Sequence, residues 1–133
     1  MSASDEWRGL TVADVMLPRP KSLPSSSKVG DVRAMLANPS VQMVLLADDG
    51  RFRGAITELP EEASMDGDAL DYADQRPESI GPTESASAGF EVTAKNPHRR
   101  VVVLDENRAI LGLLCLDRTR THFCGVESHR TTS

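Results

Sequence analysis

The sequence has few aromatic residues, few cysteines, no excess of basic charge and no long hydrophobic run. Phe, Trp and Tyr make up 4% of the 133 residues, so the core must be mostly aliphatic. Lys and Arg number 15 against 20 Asp and Glu, a net charge of −5, which argues against nucleic acid because phosphate binding needs a basic face. No stretch resembles a membrane span or a secretion signal. We therefore predict a cytoplasmic protein without nucleic-acid or membrane partners.

The chain contains an internal repeat. The stretch "NPSVQMVLLADDGRFRGAIT" aligns with "NPHRRVVVLDENRAILGLLC" at a constant offset of 58 residues. Upstream, "DVMLPRPKSL" aligns with "DYADQRPESI" at an offset of 57. A repeat of this length indicates two copies of one supersecondary unit, neither of which buries its apolar face alone. We place the first unit at 10–66, the second at 67–124, and tails at 1–9 and 125–133.

Each copy predicts the order helix, strand, helix, strand, strand. The first short helix is N-capped by Thr11, with Asp14 in the reciprocal position. An amphipathic helix follows in each copy and ends at an Asn-Pro pair; Thr93 weakens the prediction of the second one. The segment "PEEASMDGDAL" is predicted to be a helix that bridges the copies. The strands are predicted at 22–23, 41–46 and 52–57, and at 79–80, 100–104 and 109–115.

This order, written twice, resembles the CBS domain pair, a family named after cystathionine beta-synthase. The resemblance rests on "VADVMLPRPKSLPSSSKVGDV", "LLADDGRFRGAIT" and "VVLDENRAILGLLCLD", and it covers roughly residues 10 to 118. It implies an α+β fold in which two repeated β-α-β-β-α units pack about a pseudo-twofold axis. It also implies a regulatory protein that is not an enzyme, that often dimerises, and that often holds an adenine nucleotide in the clefts between its units.

The family's ligand motif is a glycine, two residues, Thr or Ser, two residues, and Asp. In the first copy Gly54 and Thr57 match, but Pro60 replaces the acid. In the second copy the glycine alone matches, since the corresponding residues are Gly112, Cys115 and Arg118. The acid would accept hydrogen bonds from the ribose hydroxyls. Both motifs therefore lack the ribose-binding group. Glu58, Glu61 and Asp117 lie near the vacant positions, but strand alternation predicts that Glu58 points away from the Thr57 side.

The resemblance places a nucleotide site for AMP or ATP at eight residues: Lys21, Ser22, Val44, Gly54, Thr57, Arg100, Gly112 and Arg118. The cleft beside Thr57 is favoured over the one beside Cys115, because a hydroxyl donates to phosphate better than a thiol. Lys21, at the entrance of the first strand, is expected to supply the positive charge there. One alternative is that both glycines serve only the close approach of chain segments, with no ligand. Another concerns four arginines, which could form a phosphate-binding patch or a solvated surface that pairs with nearby acids. These are Arg99, Arg100, Arg118 and Arg120.

Cysteine and histidine near the C-terminus raise a zinc alternative, formed by Cys115, His122, Cys124 and His129. Their spacing fits no standard ligand pattern, and two cysteines make no disulfide framework. We predict no metal, no cofactor and no catalytic residue. The prediction is a non-catalytic, ligand-sensing module, and the alternative is a structural self-association or partner-docking module without a nucleotide. We further expect an unidentified protein partner and a homodimer formed through the apolar helix residues Val12, Val15 and Met16.

Overall fold

A computed structural model describes residues 9–18, 20–39, 41–119 and 123–124. The α-helices in these ranges are α1 (Val12–Val15), α2 (Val29–Leu36) and α3 (Ala86–Lys95), and a 3-10 helix covers Ala69–Tyr72. The strands there are β1 (Leu17–Pro18), β2 (Ser22–Leu23), β3 (Val44–Asp48), β4 (Arg51–Ile56), β5 (Ser79–Ile80), β6 (Arg100–Leu104) and β7 (Ile110–Cys115). None of the helices in these ranges is long and apolar enough to cross a lipid bilayer.

The described residues form two compact units. The terminal unit joins the residues up to Pro20 with those from Glu78 onward, and the central unit is Lys21–Pro77. The terminal unit contains a four-stranded sheet in the order β1-β7-β6-β5, in which only β5 and β6 run parallel. The central unit contains a three-stranded sheet in the order β2-β3-β4, with β2 parallel to β3 and β3 antiparallel to β4. The fold is therefore α+β, as predicted.

The units do not coincide with the predicted repeat limits of 10–66 and 67–124. The reason is that the leading segment of each repeat packs with the strands of the other repeat. In the terminal unit β1 pairs antiparallel with β7. In the central unit Ala55 and Asp74 form an antiparallel bridge through two main-chain hydrogen bonds, of 2.9 and 2.8 Å. The repeat limits describe the periodicity of the sequence and stay a prediction.

Local side chains fix where the helices begin, as the sequence indicates. The Asp14 carboxylate accepts hydrogen bonds from the Thr11 N–H at 2.8 Å and the Thr11 hydroxyl at 3.0 Å, which confirms the predicted cap of α1. Ser85 caps α3, since its hydroxyl oxygen accepts from the Ala88 N–H at 3.1 Å. Thr93 is fully buried in α3, and its hydroxyl donates to the Gly89 carbonyl at 2.7 Å. This internal hydrogen bond lets the helix carry a polar residue on its core face.

Each unit has its own aliphatic core. The buried core of the central unit consists of Val32, Val44, Leu46, Ile56 and Ala69. The core of the terminal unit consists of Val12, Val15, Ala86, Val101, Val103, Leu114, Leu116 and Phe123. The apolar runs of β3 and β6 supply residues that are almost fully buried, as expected of strands covered on both faces.

The predicted bridging helix at 60–70 is wrong. The segment forms turns until the 3-10 helix starts at Ala69. Its carbonyl groups instead accept from the first turn of α2: the Val29 N–H donates to Gly67 at 2.8 Å, and the Gly30 N–H donates to Met65 at 3.0 Å. These carbonyls satisfy N–H groups that a helix start leaves unpaired, so they do not form helical bonds of their own.

The apolar patch that was expected to form a dimer interface is also absent. Val12 and Val15 are 0% and 1% exposed, because α1 packs into the core of the terminal unit. Met16 is half-buried and packs against the same core. The argument for a homodimer through these residues is therefore wrong, while the homodimer itself stays a prediction.

Candidate functional site

Gly54 lies in β4, where a segment of the same unit approaches it closely. A Cβ atom at this position would lie 2.7 Å from the Ala73 Cβ atom and 3.5 Å from the Asp74 carbonyl oxygen. The Cβ of Ala73 is attached to the main chain, so it cannot rotate out of the way. The main-chain bonds between Ala55 and Asp74 hold this segment against the strand. The close approach of the chain alone therefore requires a glycine here.

Gly112 has the same role in the terminal unit. A Cβ atom there would lie 2.7 Å from Met16 Cγ and 2.8 Å from the Leu17 carbonyl oxygen. Strand β1 lies directly beside it in the sheet, with Pro18 as its register partner. Both glycines thus face neighbouring chain segments within their own units.

A groove of about 420 Å³ opens in the central unit beside Thr57, a volume within the usual range for a small-molecule site. It lies between the second half of α2 and the residues that follow β4. Its lining residues are Arg33, Leu36, Ala37, Val41, Gln42, Thr57, Glu58 and Leu59. Half of the lining residues are apolar, while the guanidinium, the amide, the hydroxyl and the carboxylate of the others supply hydrogen-bonding groups. Such a mixture suits a ligand with a flat apolar part and charged substituents.

Thr57 and Glu58 line this groove together, although strand alternation predicted that Glu58 points away from Thr57. Strand β4 ends at Ile56, so the alternation of side chains no longer applies to the next two residues. The groove therefore contains a carboxylate close to the predicted hydroxyl. Glu58 is the one carboxylate among the lining residues, and Pro60 is not among them.

Arg33 supplies the positive charge of the groove. Its Nη2 atom donates to the Pro60 carbonyl oxygen, and a longer bond of 3.4 Å joins it to the Glu61 carbonyl. These bonds fix the guanidinium at the groove edge without neutralising its charge. The sequence pointed to Lys21 for this role; that residue is exposed and precedes β2. The helical position of Arg33 gave no signal in the sequence, because its distance from Thr57 depends on tertiary packing.

The predicted site residues fall into both units. Ser22 is exposed in β2 and pairs with Leu45, whereas Val44 is fully buried in the core of the central unit. Arg100, Gly112 and Arg118 belong to the terminal unit. The structure thus brings Thr57 together with Glu58, which the sequence analysis named as lying near the vacant acid position, and with Arg33, which it did not name. The full set of eight stays a prediction.

Arg100 is used in holding the turn before β6. Its Nη1 atom donates to the carbonyl oxygens of Arg99 at 3.1 Å and of Leu116 and His98 at 3.4 Å each. Burial lowers the pKa of the Arg100 guanidinium, and the neighbouring charge of Arg99 lowers it further. Arg118 is exposed, and Arg120 lies outside the described residues. The phosphate-patch alternative is untested.

Cys115 offers no thiol in this structure. It forms a disulfide with Cys124, and the two Cα atoms are 5.2 Å apart. The argument that two cysteines make no disulfide framework did not anticipate this bond, because the fold brings together two residues that are nine positions apart in the sequence. His122 and His129 lie outside the described residues. Among the residues that are described, no three His, Cys, Asp or Glu side chains form a group suited to a metal ion.

Comparison with known proteins identifies the fold. No protein-family model matches the sequence, and neither does any curated protein. Among solved structures, the CBS-pair protein CBSX2 from Arabidopsis thaliana matches with a TM-score of 0.71 and 18% identity, over 92% of this chain and 95% of its own. A structure of CBSX2 in complex with AMP matches with a TM-score of 0.69 and 17% identity, over 93% and 98% of the two chains.

A third match is Hypoxic Response Protein I with two coordinated zinc ions. Its TM-score is 0.63 at 18% identity, over 77% of this chain and 90% of that one. At these identities the likeness establishes the fold. The chain therefore has the fold of a CBS domain pair, which confirms the prediction made from its repeat.

Proposed function

We propose that this protein is a non-catalytic, ligand-sensing module that binds an adenine nucleotide weakly in the groove of the central unit. The observation that carries the proposal is the convergence of Thr57, Glu58 and Arg33 around one groove of about 420 Å³. Support also comes from the CBS-pair fold, because a structural neighbour that matches over 93% of this chain and 98% of its own is a complex with AMP.

The lining residues suit the parts of a nucleotide. The Thr57 hydroxyl and the Arg33 guanidinium are donors for phosphate oxygens, and Arg33 has the planar donor arrangement that phosphate favours. Glu58 is an acceptor for ribose hydroxyls, and Leu36, Val41 and Leu59 offer apolar contact to a base.

The affinity should be modest. In the family's motif the acid follows the hydroxyl by three residues, and here that residue is Pro60. A missing charge-assisted hydrogen bond typically costs about 1.5–3 kcal/mol. This corresponds to a dissociation constant roughly tenfold to hundredfold higher. A hydrogen bond from the ribose to Glu58 would offset this loss.

Calorimetry with AMP and ATP tests the proposal on wild type, Thr57→Ala and Arg33→Met. Both substitutions should weaken binding about tenfold or more, and Thr83→Ala, an exposed threonine in the terminal unit, should leave it unchanged. Glu58→Gln should reduce the preference for AMP over its deoxyribose form, since an amide accepts more weakly than a carboxylate. Binding that survives Thr57→Ala but disappears in Arg118→Ala would place the ligand in the terminal unit instead.

The second candidate function is a structural module for self-association or partner docking. It is favoured by the two glycines, because chain packing accounts for both of them without a ligand. Met65 and Tyr72 are also exposed large hydrophobic residues, at 55% and 39%. No heat with either nucleotide and an unchanged melting temperature would favour this function. Light scattering at micromolar concentration then separates a dimer from a monomer that docks on another protein.

A further inference from the structure

Two residues near the C-terminus fold back onto the end of β7. Phe123 forms an antiparallel bridge with Leu116, and the Cys124 N–H donates to the Cys115 carbonyl oxygen at 2.7 Å. The Cys115–Cys124 disulfide joins the same two positions covalently. We call Phe123 and Cys124 the clasp.

The clasp contributes a core side chain to the terminal unit. Phe123 is 1% exposed, and its ring meets Phe90 edge to face, with 6.0 Å between centroids and 80° between planes. It belongs to the same apolar cluster as Leu116 and Val101. A residue eight positions beyond the last strand thus completes the packing of this unit.

The repeat offset shows what the clasp covers. Adding 58 to the groove positions Leu36, Thr57 and Glu58 gives Ala94, Cys115 and Leu116. Ala94 packs against the cluster that contains Leu116 and Phe123, and Cys115 is bonded to the clasp. Two of these three counterpart positions, Cys115 and Leu116, therefore contact the clasp directly, and the third packs against the cluster that contains Phe123.

We propose that the clasp is a redox-controlled cover, which the disulfide holds closed over the terminal unit's counterpart of the groove and which reduction loosens. The inference stands independently of nucleotide binding, because it concerns the chain's own contacts.

The chemistry requires a thiol and a disulfide of low molecular weight, such as glutathione and its oxidised form. Cys115 is 4% exposed, whereas Cys124 is half-buried, so an incoming thiolate reaches the sulfur of Cys124 first. The new mixed disulfide forms on Cys124 as the Cys115 sulfur leaves as a thiolate. A second thiolate then releases Cys124 and forms the oxidised small molecule. Glutathione disulfide drives the same steps in reverse, and these two are the only cysteines of the chain.

The size of the effect follows from the length of the ring that the bond closes. A disulfide that closes a loop of about ten residues restricts the open chain enough to change an opening equilibrium by roughly tenfold to hundredfold. The packing of Phe123 remains after reduction, so the clasp should open more often without the unit unfolding.

Amide hydrogen exchange measures this opening directly. The probe is the Cys124 amide, which donates to the Cys115 carbonyl oxygen, in oxidised protein, reduced protein and a disulfide-free variant made as Cys115→Val. A matched internal control is the Asp74 amide, which donates to Ala55 at 2.8 Å in a bridge of the same kind without a disulfide. A second variant, Cys124→Ser, keeps the Cys115 side chain and guards against misfolding of the first.

Reduction should increase exchange at position 124 at least tenfold, leave Asp74 unchanged, and be reversed by glutathione disulfide. Both variants should exchange like the reduced protein under either redox condition. Exchange at position 124 that changes less than twofold on reduction would overturn the proposal. So would an equal loss of protection throughout β6 and β7, because the bond would then be a staple for the whole unit, or a failure of glutathione disulfide to restore protection.

Discussion

Replacing Gly54 with alanine should destabilise the protein through one identified contact. The added Cβ atom would lie 2.7 Å from the Ala73 Cβ atom, whereas two carbon atoms in contact prefer a separation of about 3.5–4.0 Å. The strand and the segment would therefore have to separate by roughly 1 Å. That movement strains the two main-chain bonds between Ala55 and Asp74, of 2.9 and 2.8 Å.

The expected cost is the difference between two effects. Overpacking a well-packed site typically costs about 1–3 kcal/mol. Alanine returns about 0.4–1 kcal/mol, because it restricts the unfolded chain more than glycine does. These two ranges span a fall in the free energy of unfolding of about 0–2.6 kcal/mol. We expect about 1–2 kcal/mol, because the opposing Cβ atom is fixed to the main chain and cannot rotate away, and the melting temperature should fall by a few degrees.

A double-mutant cycle assigns this cost to the contact. Ala73→Gly removes the opposing Cβ atom and alone should cost about 0.5–1 kcal/mol through backbone entropy. The double variant Gly54→Ala with Ala73→Gly should recover most of the loss, with a coupling energy of 1 kcal/mol or more. Urea denaturation of the four proteins provides the values. A Gly54→Ala variant as stable as wild type, or two effects that simply add, would show that the glycine does not serve this contact.

Two further perturbations test local interactions. Ser25 donates to the Asp48 carboxylate from its hydroxyl at 2.6 Å and from its N–H at 3.1 Å. These hydrogen bonds lower the pKa of Asp48. They therefore stabilise the fold at pH values above the ordinary aspartate pKa of about 3.9. Ser25→Ala should therefore lower the melting temperature at neutral pH, by an amount that shrinks as the pH falls below that value; a constant difference would contradict the assignment. Phe123→Ala should lower the free energy of unfolding, measured by urea denaturation, by about 3–5 kcal/mol. Tyr72 is 39% exposed, so Tyr72→Ala should change it by no more than about 0.5 kcal/mol. Equal effects of the two substitutions would refute the buried position of Phe123.

Features that depend on neighbouring residues could be predicted from the sequence. The bounds of β6 are those predicted, and β7 differs by one residue. Continuous apolar runs determine these strands, because burial on both faces leaves no room for polar residues. The Thr11–Asp14 cap depends on a spacing of three residues and was equally readable.

Features that depend on distant partners could not be predicted in this way. The composition of segment 60–70 suggested a helix. Main-chain carbonyls of this segment instead accept hydrogen bonds from the start of α2, a distant partner that the local sequence does not reveal. Strand β1 has two residues and exists only because β7 lies beside it. The sequence likewise gives no distance between Cys115 and Cys124, and it does not show that β4 ends early enough for Glu58 to line the groove. Each of these outcomes needs contacts that local patterns do not contain.

The two copies share their packing and differ in their chemistry. The pair Ala55 and Asp74 in the central unit corresponds, at offsets of 58 and 57, to Leu113 and Leu17 in the terminal unit, and both pairs are antiparallel partners. The glycine just before each of these strand residues contacts the leading segment of the other repeat, Ala73 and Asp74 in one unit and Met16 and Leu17 in the other. The lack of room for a Cβ atom therefore occurs twice and is independent of any ligand. The residue three positions after each glycine has no such constraint. In one copy it is the hydroxyl beside an open groove, and in the other it is a cysteine bonded to the clasp. The repeat thus keeps the packing that the sheet requires, while the adjoining surface is an open groove in one unit and carries a disulfide in the other.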